Sequence, residues 1–456
     1  MRSPPPESGA TQGTPAPSLG RPLQTWRSLA PATRRLLAAR FWRSISQGAL
    51  VVDLALYLHA LGWPGTSIGM VLTGGGLLGA ALTMVVGVTS DRLRRKPFLL
   101  AYEGLSCACA LVALSTSQPL LLSAAIVLAG FGRGANGAAG PFSPAEQAWL
   151  AEAVDPSRRG FVYSVNTAFG FVGMAIGALA AAAPAWWQGT LGAAGSFRPL
   201  FFIVLLGNAI NFVLVAGAPE TAKAARPAHR PSEPGLRPQH SEAHSRENGF
   251  LLRLVGLNTL NGLAIGLTGP LMAYWFAMKF NVGPSAIGPV MAATFAVTAL
   301  SAFATARMTQ SFGLVRSVQW GRAAGLVLLV LLPVMPFYAL AALAYLLRSA
   351  FNRGTIGARQ ALVVSAVRDH RRGFAVSLNV LSMMLPMSIG PAVAGAFIGA
   401  RWFIAPFYIA AALQALYVLL YGPVFRPYEE ETRGEKRETR KSDSPLRDEE
   451  HGGTTR

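Results

Sequence analysis

The chain has 456 residues, of which 52% are hydrophobic and 13% charged, with a formal net charge of +19. So small a charged fraction excludes an ordinary soluble domain and makes lipid the solvent. The basic residues flank apolar runs instead of forming one patch, which excludes a nucleic-acid binder and leaves lipid phosphates to account for the charge.

Residues 1–35 are rich in Pro, Gly and Ser and lack the apolar core of a signal peptide, so they read as a disordered tail. Apolar runs then recur at 40–61, 67–90, 97–116, 119–153, 160–183 and 199–218. After a polar linker at 219–248 they resume at 250–278, 285–306, 318–333, 336–367, 373–398 and 403–424, and a charged tail at 425–456 is expected to be disordered. A crossing helix needs about 20 residues, and open sheet is excluded because its backbone would lack partners in hydrocarbon. The fold class is therefore all-α: a polytopic membrane protein of twelve transmembrane helices, with bundles at 36–218 and 249–424.

Several polar residues fall inside these runs, where each is costly and asks for a partner or a wet cavity. Helix one carries Asp53 and helix three Glu103; helix four carries Arg133, Glu146 and Gln147, and helix five Asn166. Helix seven adds Asn258, Asn261, Tyr274 and Trp275, while Gln360 and Asn379 lie in helices ten and eleven. These are the candidates for a central cavity, although Asn and Gln also serve as hydrogen-bonding groups between helices. Glu146, close to the end of its run, is expected to pair with Arg158 or Arg159. Gly262, Gly266, Gly269 and Pro270 should let helix seven break, and Pro141 to Pro144 should bend helix four. Cys107 and Cys109, two apart on one helix, read as small apolar residues and not as a redox pair. His229, His240 and His244 fall in the polar linker, so no metal site or cofactor is expected.

The chain also repeats itself. Ala145 to Asn166 reads AEQAWLAEAVDPSRRGFVYSVN, and Ala358 to Asn379, 213 residues on, reads ARQALVVSAVRDHRRGFAVSLN, with 11 of 22 positions identical. Both copies run in the same direction, so the halves form a parallel repeat. Residues 40–218 and 250–424 should then superpose, with Gly160 on Gly373 and Gly177 on Gly390.

With a cytoplasmic N-terminus, the inner loops hold Arg92, Arg94, Arg95, Lys96, Arg158, Arg159, Arg307, Arg316, Arg368, Arg371 and Arg372, and the outer loops Arg198, Lys279 and Arg401. That bias puts both termini and the linker in the cytoplasm.

Gly87 to Lys96 (GVTSDRLRRK) resembles the G-x-L-A-D-R-x-G-R-K loop of the major facilitator superfamily, matching at Gly87, Asp91, Arg92, Arg95 and Lys96. Arg133 to Gly137 (RGANG) resembles the R-x-x-Q-G pattern of its proton-coupled members, with Asn136 in place of Gln. Helix five carries Gly173 and Gly177 but lacks the proline of the exporters' motif; the cleaner version, Gly390, Pro391 and Gly395, is in helix eleven. These small residues should let helices approach and bend.

The resemblance implies a secondary transporter working by alternating access. Asp91 near the start of helix eleven at Gly373, with Gly87, Arg92 and Arg95, would latch the halves when the protein opens outward. Asp53, Arg133 and Glu146 are the proton-coupling candidates. A permanent Asp53–Arg133 ion pair that only sets packing is the alternative. The expected function is proton-coupled export of a drug-like molecule or metabolite from a bacterial inner membrane by a monomer, with a small molecule, protons and the bilayer as partners. Proton-coupled uptake of a metabolite is the alternative, and a non-transporting sensor a more remote one. No embedded His-Asp or Cys-His cluster points to an enzyme.

Overall fold

The structure, a computed structural model, describes residue 26 and residues 29–89, 95–132, 140, 143–154, 158–219, 237–368 and 371–442. Among these, all regular structure is helical. The first half contains α1 (Pro31–Ala60), α2 (Gly65–Thr89), α3 (Arg95–Ser115), α4 (Pro119–Ala129), α5 (Ser143–Glu152), α6 (Arg159–Ala180), α7 (Pro184–Gly195) and α8 (Arg198–Gly217). The second contains α9 (Arg237–Thr268), α10 (Met272–Phe280), α11 (Pro284–Phe312), α12 (Leu314–Leu331), α13 (Tyr338–Gly354), α14 (Ile356–Ser365), α15 (Arg372–Gly399) and α16 (Ala405–Ser442).

Proline opens α1, α4, α7, α8 and α11, where its missing N–H costs nothing. Among the described residues nine helices are long and apolar enough to cross a membrane. Three further crossings escape that criterion: α1, whose first turns are basic, and the two broken pairs α4–α5 and α13–α14. Together they give the expected twelve.

Two ends of the molecule are defined by contacts. At the linker end, Lys96 at the start of α3 donates to the Ala218 carbonyl just after α8 (3.0 Å), and Arg95 pairs with Glu152 of α5 (2.6 Å). In the second half Glu247 of α9 pairs with Arg368 (2.8 Å) and Arg371 (2.9 Å) at the start of α15. At the far end Arg198 donates to Ser117 (2.8 Å), and Tyr338 to the Ala286 carbonyl (2.9 Å).

Several boundaries shift. α1 begins at Pro31, inside the segment expected to be a tail, and α9 begins at Arg237, inside the expected linker. The second tail boundary falls inside α16, which continues to Ser442. That extension is anchored: both oxygens of Glu429 accept the first amides of α12, from Leu314 (2.7 Å) and Val315 (3.1 Å). A carboxylate there also faces the positive end of the helix dipole. α7 is an unforeseen helix at the far end, with Trp186 exposed on its surface. The break in helix seven occurs where Gly269 and Pro270 put it, between α9 and α10. The first part of helix four, α4, ends at Gly130 in the left-handed region (φ 63°), with Gly132 there too (φ 76°); Pro141, where a bend is expected, lies outside the described residues.

Within each half, small residues let the crossing helices touch backbone to backbone. Gly177 of α6 lies so close to α1 that a Cβ would overlap the Ile45 carbonyl and sit 2.8 Å from the Ala49 amide nitrogen. Gly256 of α9 is exposed, with no described atom within 4 Å of its Cβ position. Gly177→Ala is therefore expected to cost about 1–3 kcal/mol by overpacking. Gly256→Ala should be neutral or stabilising by up to about 1 kcal/mol, since a helical glycine is entropically costly. Thermal unfolding of the two purified variants beside the parent checks both.

The halves meet toward the far end. There Gly65 and Gly69 of α2 sit against Gly395, Gly399 and Pro391 of α15, and the Ala392 amide donates to Thr73 (3.0 Å). Gly288 of α11 abuts Ala178 and Ala182 at the end of α6, and His59 packs edge-on against Tyr274. At the linker end Gly373 is exposed and no described atom lies within 4 Å of its Cβ position.

Candidate functional site

The first half buries a charge network around Arg43 of α1. Its Nε donates to Glu103 of α3 (3.0 Å) and its Nη1 to Glu146 of α5. All three side chains are almost fully shielded from solvent. Arg40, one turn earlier and also buried, lies within electrostatic reach of Glu146. Two bases and two acids thus balance, which is what makes four buried charges tolerable. A cavity beside them is lined by Gln47, Tyr102, Gly132 and Asn208. Tyr102 donates to the Ala129 carbonyl (3.0 Å), fixing α3 against the broken end of α4.

Glu146 therefore pairs with Arg43 and not with Arg158 or Arg159. The two arginines at the turn were the near choices in sequence, but folding brings α1 and α5 together from 103 residues apart. Arg40 and Arg43 did not stand out in the sequence because they sit near the basic edge of the first apolar run. With α1 starting at Pro31, both lie well inside a helix.

Three turns along α1, Asp53 is 1% exposed, and neither carboxylate oxygen has a hydrogen-bond partner among the described residues. Arg133, its expected partner, lies outside those residues, as do Asn136, Asp91 and Arg92. Gly87 falls in the last turn of α2. Arg95, expected to help latch the halves, here pairs with Glu152 of its own half.

In the second half Asn258 and Asn379 are brought together: the Asn258 amide donates to the Asn379 Oδ1 (2.9 Å) and to Ser382 (2.9 Å). Asn258 Oδ1 in turn accepts from Arg359 of α14 (3.1 Å), and Asn261 Oδ1 from Arg322 of α12 (2.9 Å). Arg348 donates to Thr268 (3.2 Å), and Arg353 lies over the Phe295 ring (5.3 Å). Arg322 and Arg359 are the functional candidates that the sequence reading passed over; a signal was present, in that the second half has many arginines and almost no acids.

The remaining candidates separate. Gln147 and Gln360, at equivalent repeat positions, are exposed, and Asn166 is half-buried. Trp275 is packed at the far end, its Nε1 donating to the Phe403 carbonyl (2.9 Å) and its ring against Phe407 (4.5 Å). Among the described residues no group of three His, Cys, Asp or Glu side chains is placed to hold a metal ion.

The sequence model described as Major Facilitator Superfamily matches residues 36–255 and again 254–452. Curated protein sequences give no significant match. Solved structures share the fold. The nucleoside transporter NupG is 13% identical with a TM-score of 0.64, covering 87% of this chain and 99% of that one. An auto-inhibited POT family peptide transporter is 13% identical with a TM-score of 0.67, covering 87% and 97%. A D-xylose-proton symporter is 13% identical with a TM-score of 0.62, covering 86% and 95%. Two family-model repeats, twelve crossings in two halves and a buried charge network in the membrane make one assignment: the chain is a transporter belonging to the Major Facilitator Superfamily.

Proposed function

We propose that the protein is a proton-coupled secondary transporter that exports a small drug-like molecule or metabolite across a bacterial inner membrane. In this reading it works as a monomer, with its termini and the linker end in the cytoplasm. The observation that carries proton coupling is Asp53. A carboxylate buried in an apolar helix with no partner among the described residues is very costly while charged, so the residue is suited to hold a proton when shut off from water. Opening of the site and approach of a cation, Arg133 among the candidates, would favour release. The Arg43–Glu103–Glu146 network, centred three turns away on the same helix, supplies further charges that can rearrange as the halves rock.

The test is flux through proteoliposomes with and without an imposed pH gradient, using a substrate found by thermal-shift screening of cationic drugs, organic acids and sugars. Asp53→Asn is expected to lose at least about tenfold of gradient-driven flux while keeping substrate binding, a tenfold change being 1.4 kcal/mol in the barrier. Normal gradient-driven flux in that variant would rule Asp53 out as the proton carrier.

Uptake by proton symport is the second reading, favoured by one observation. In α6, Gly173 and Gly177 pack against α1 in an unbroken helix without the exporters' proline. Comparing flux in inverted and right-side-out vesicles separates the two directions.

For the other state of the cycle we infer the latch at Asp91. Asp91→Asn should fold and express normally, reduce transport sharply and raise the labelling of a cysteine placed near Gly373 from the linker end. Unchanged transport would leave the basic loop with a topological role alone.

A further inference from the structure

The two halves hold one scaffold with inverted charge. Glu146 and Arg359 are separated by the repeat's 213 positions. Glu103 and Arg322 each lie eight residues past the first residue of their helices, α3 and α12. Gly48 meets the Met174 carbonyl as Gly266 meets the Met387 carbonyl, again 213 apart, and that register sets Arg43 against Asn261 and Arg40 against Asn258. The hydrogen bonds agree. Where Arg43 bridges two glutamates, Asn261 and Asn258 take up two arginines. Acids have become bases, and bases have become neutral amides.

The first half is thereby balanced and the second is not. Arg322 is 2% exposed and Arg359 9%, they repel one another across the bundle, and their oxygen partners within hydrogen-bond distance are the neutral amides. From Asn248 to Tyr428 the sequence contains a single acidic residue, Asp369, which lies outside the described residues. Glu429, the next acid along the chain, already accepts the opening amides of α12. Two donors are left over: Arg322 Nε and the Tyr417 hydroxyl are buried with no partner among the described residues, and the Arg322 guanidinium lies 5.6 Å from the Tyr417 ring centre. Arg359, Asn258, Asn379, Tyr417 and Tyr421 line one cavity. Two buried guanidiniums without a counter-charge are strongly unfavourable, and charge-assisted hydrogen bonds to an anion relieve them.

We propose that the C-terminal bundle contains a binding site for one small anion, a halide, a phosphate or a single carboxylate group, held between Arg322, Arg359 and Tyr417. The site needs no proton gradient, so its test stands apart from the coupling reaction. Full-length protein is purified in detergent with the bulky sulfonate MES as the balancing anion, and thermal unfolding is followed against chloride, phosphate or acetate. A saturable rise in Tm is expected with at least one of them, about 5 °C at a hundredfold excess over Kd. Arg322→Gln and Arg359→Gln should each abolish the response. Asn261→Asp, which builds a carboxylate onto Arg322 as the first half builds one onto Arg43, should raise Tm without added anion and blunt the response. That variant removes no charge and opens no cavity, so it decides the question if the arginine variants do not fold.

Saturation by chloride or phosphate identifies a free inorganic ion. Saturation by acetate alone, with counterflow of labelled acetate in proteoliposomes, identifies a transported carboxylate. The proposal is overturned if none of the three anions gives a saturating rise in the parent protein. It is equally overturned if the response persists undiminished in Arg322→Gln, Arg359→Gln and Asn261→Asp.

Discussion

Arg43→Gln is expected to lower stability by about 3–5 kcal/mol, because it leaves buried carboxylates without their counter-charge. For bundles of this size that amounts to a fall of about 10 °C in the unfolding temperature. The two acids should not suffer equally. Arg40 is within electrostatic reach of Glu146 and remains in the variant, so Glu103 is the more exposed to loss of its partner. Adding Glu103→Gln to Arg43→Gln should therefore restore more stability than adding Glu146→Gln. Replacing all three should come closest to the parent, since a buried ion network exchanged for neutral groups is often nearly neutral in energy. The readout is thermal unfolding of the single, double and triple variants, treated as a mutant cycle. Independent, additive losses would show that the short contacts around Arg43 do not act as one network.

The fold was largely legible because apolar length and the 213-residue repeat are properties of the chain itself. The predicted edges of helices three, six and eleven (97–116, 199–218 and 373–398) fall within two residues of α3, α8 and α15. Two departures have a common cause. α1 and α16 extend beyond the apolar runs because polar turns can be anchored by groups far away in sequence, as Glu429 is on α12, 115 residues earlier. No periodicity records such a partner.

The site was half legible for the same reason. Reading the sequence singled out Glu103, Glu146, Asn258, Asn261 and Asn379 as polar residues in lipid, and folding places all of them in the two buried networks. It did not single out Arg40, Arg43, Arg322 or Arg359. Arg40, Arg43 and Arg322 lie near the edges of apolar runs and look like topology signals until their helices are seen to begin several residues earlier. Tyr274 and Trp275 show the converse. An aromatic pair in a breaking helix looks like a cavity wall, but Trp275 is consumed by packing against Phe407 and the Phe403 carbonyl.

Gly69→Val is expected to shift the conformational balance while leaving each half folded. A Cβ at Gly69 would overlap the Pro391 carbonyl and lie 3.0 Å from the Ala392 Cα, both backbone atoms of α15 that no rotamer change can move. The same stretch of α15 is tied to α2 by the bond from the Ala392 amide to Thr73, so added bulk must separate the helices and break that bond. Overpacking of this kind costs about 1–3 kcal/mol. Here the far-end-closed state alone bears the cost, because opening the far end relieves it. A differential of that size changes the ratio of the two states by about 5- to 150-fold. The measurement is maleimide labelling from the far side of a cysteine at Ser388, which lies buried against Gly76, in protein carrying Cys107→Ser and Cys109→Ser. Labelling should rise in the Gly69→Val background and transport should fall, while the unfolding temperature stays within a few degrees of the parent. A rise in labelling with a collapse in unfolding temperature would mean that the substitution damages a half and does not bias the cycle. Unchanged labelling and unchanged transport would show that closure at the far end does not depend on the contact between α2 and α15.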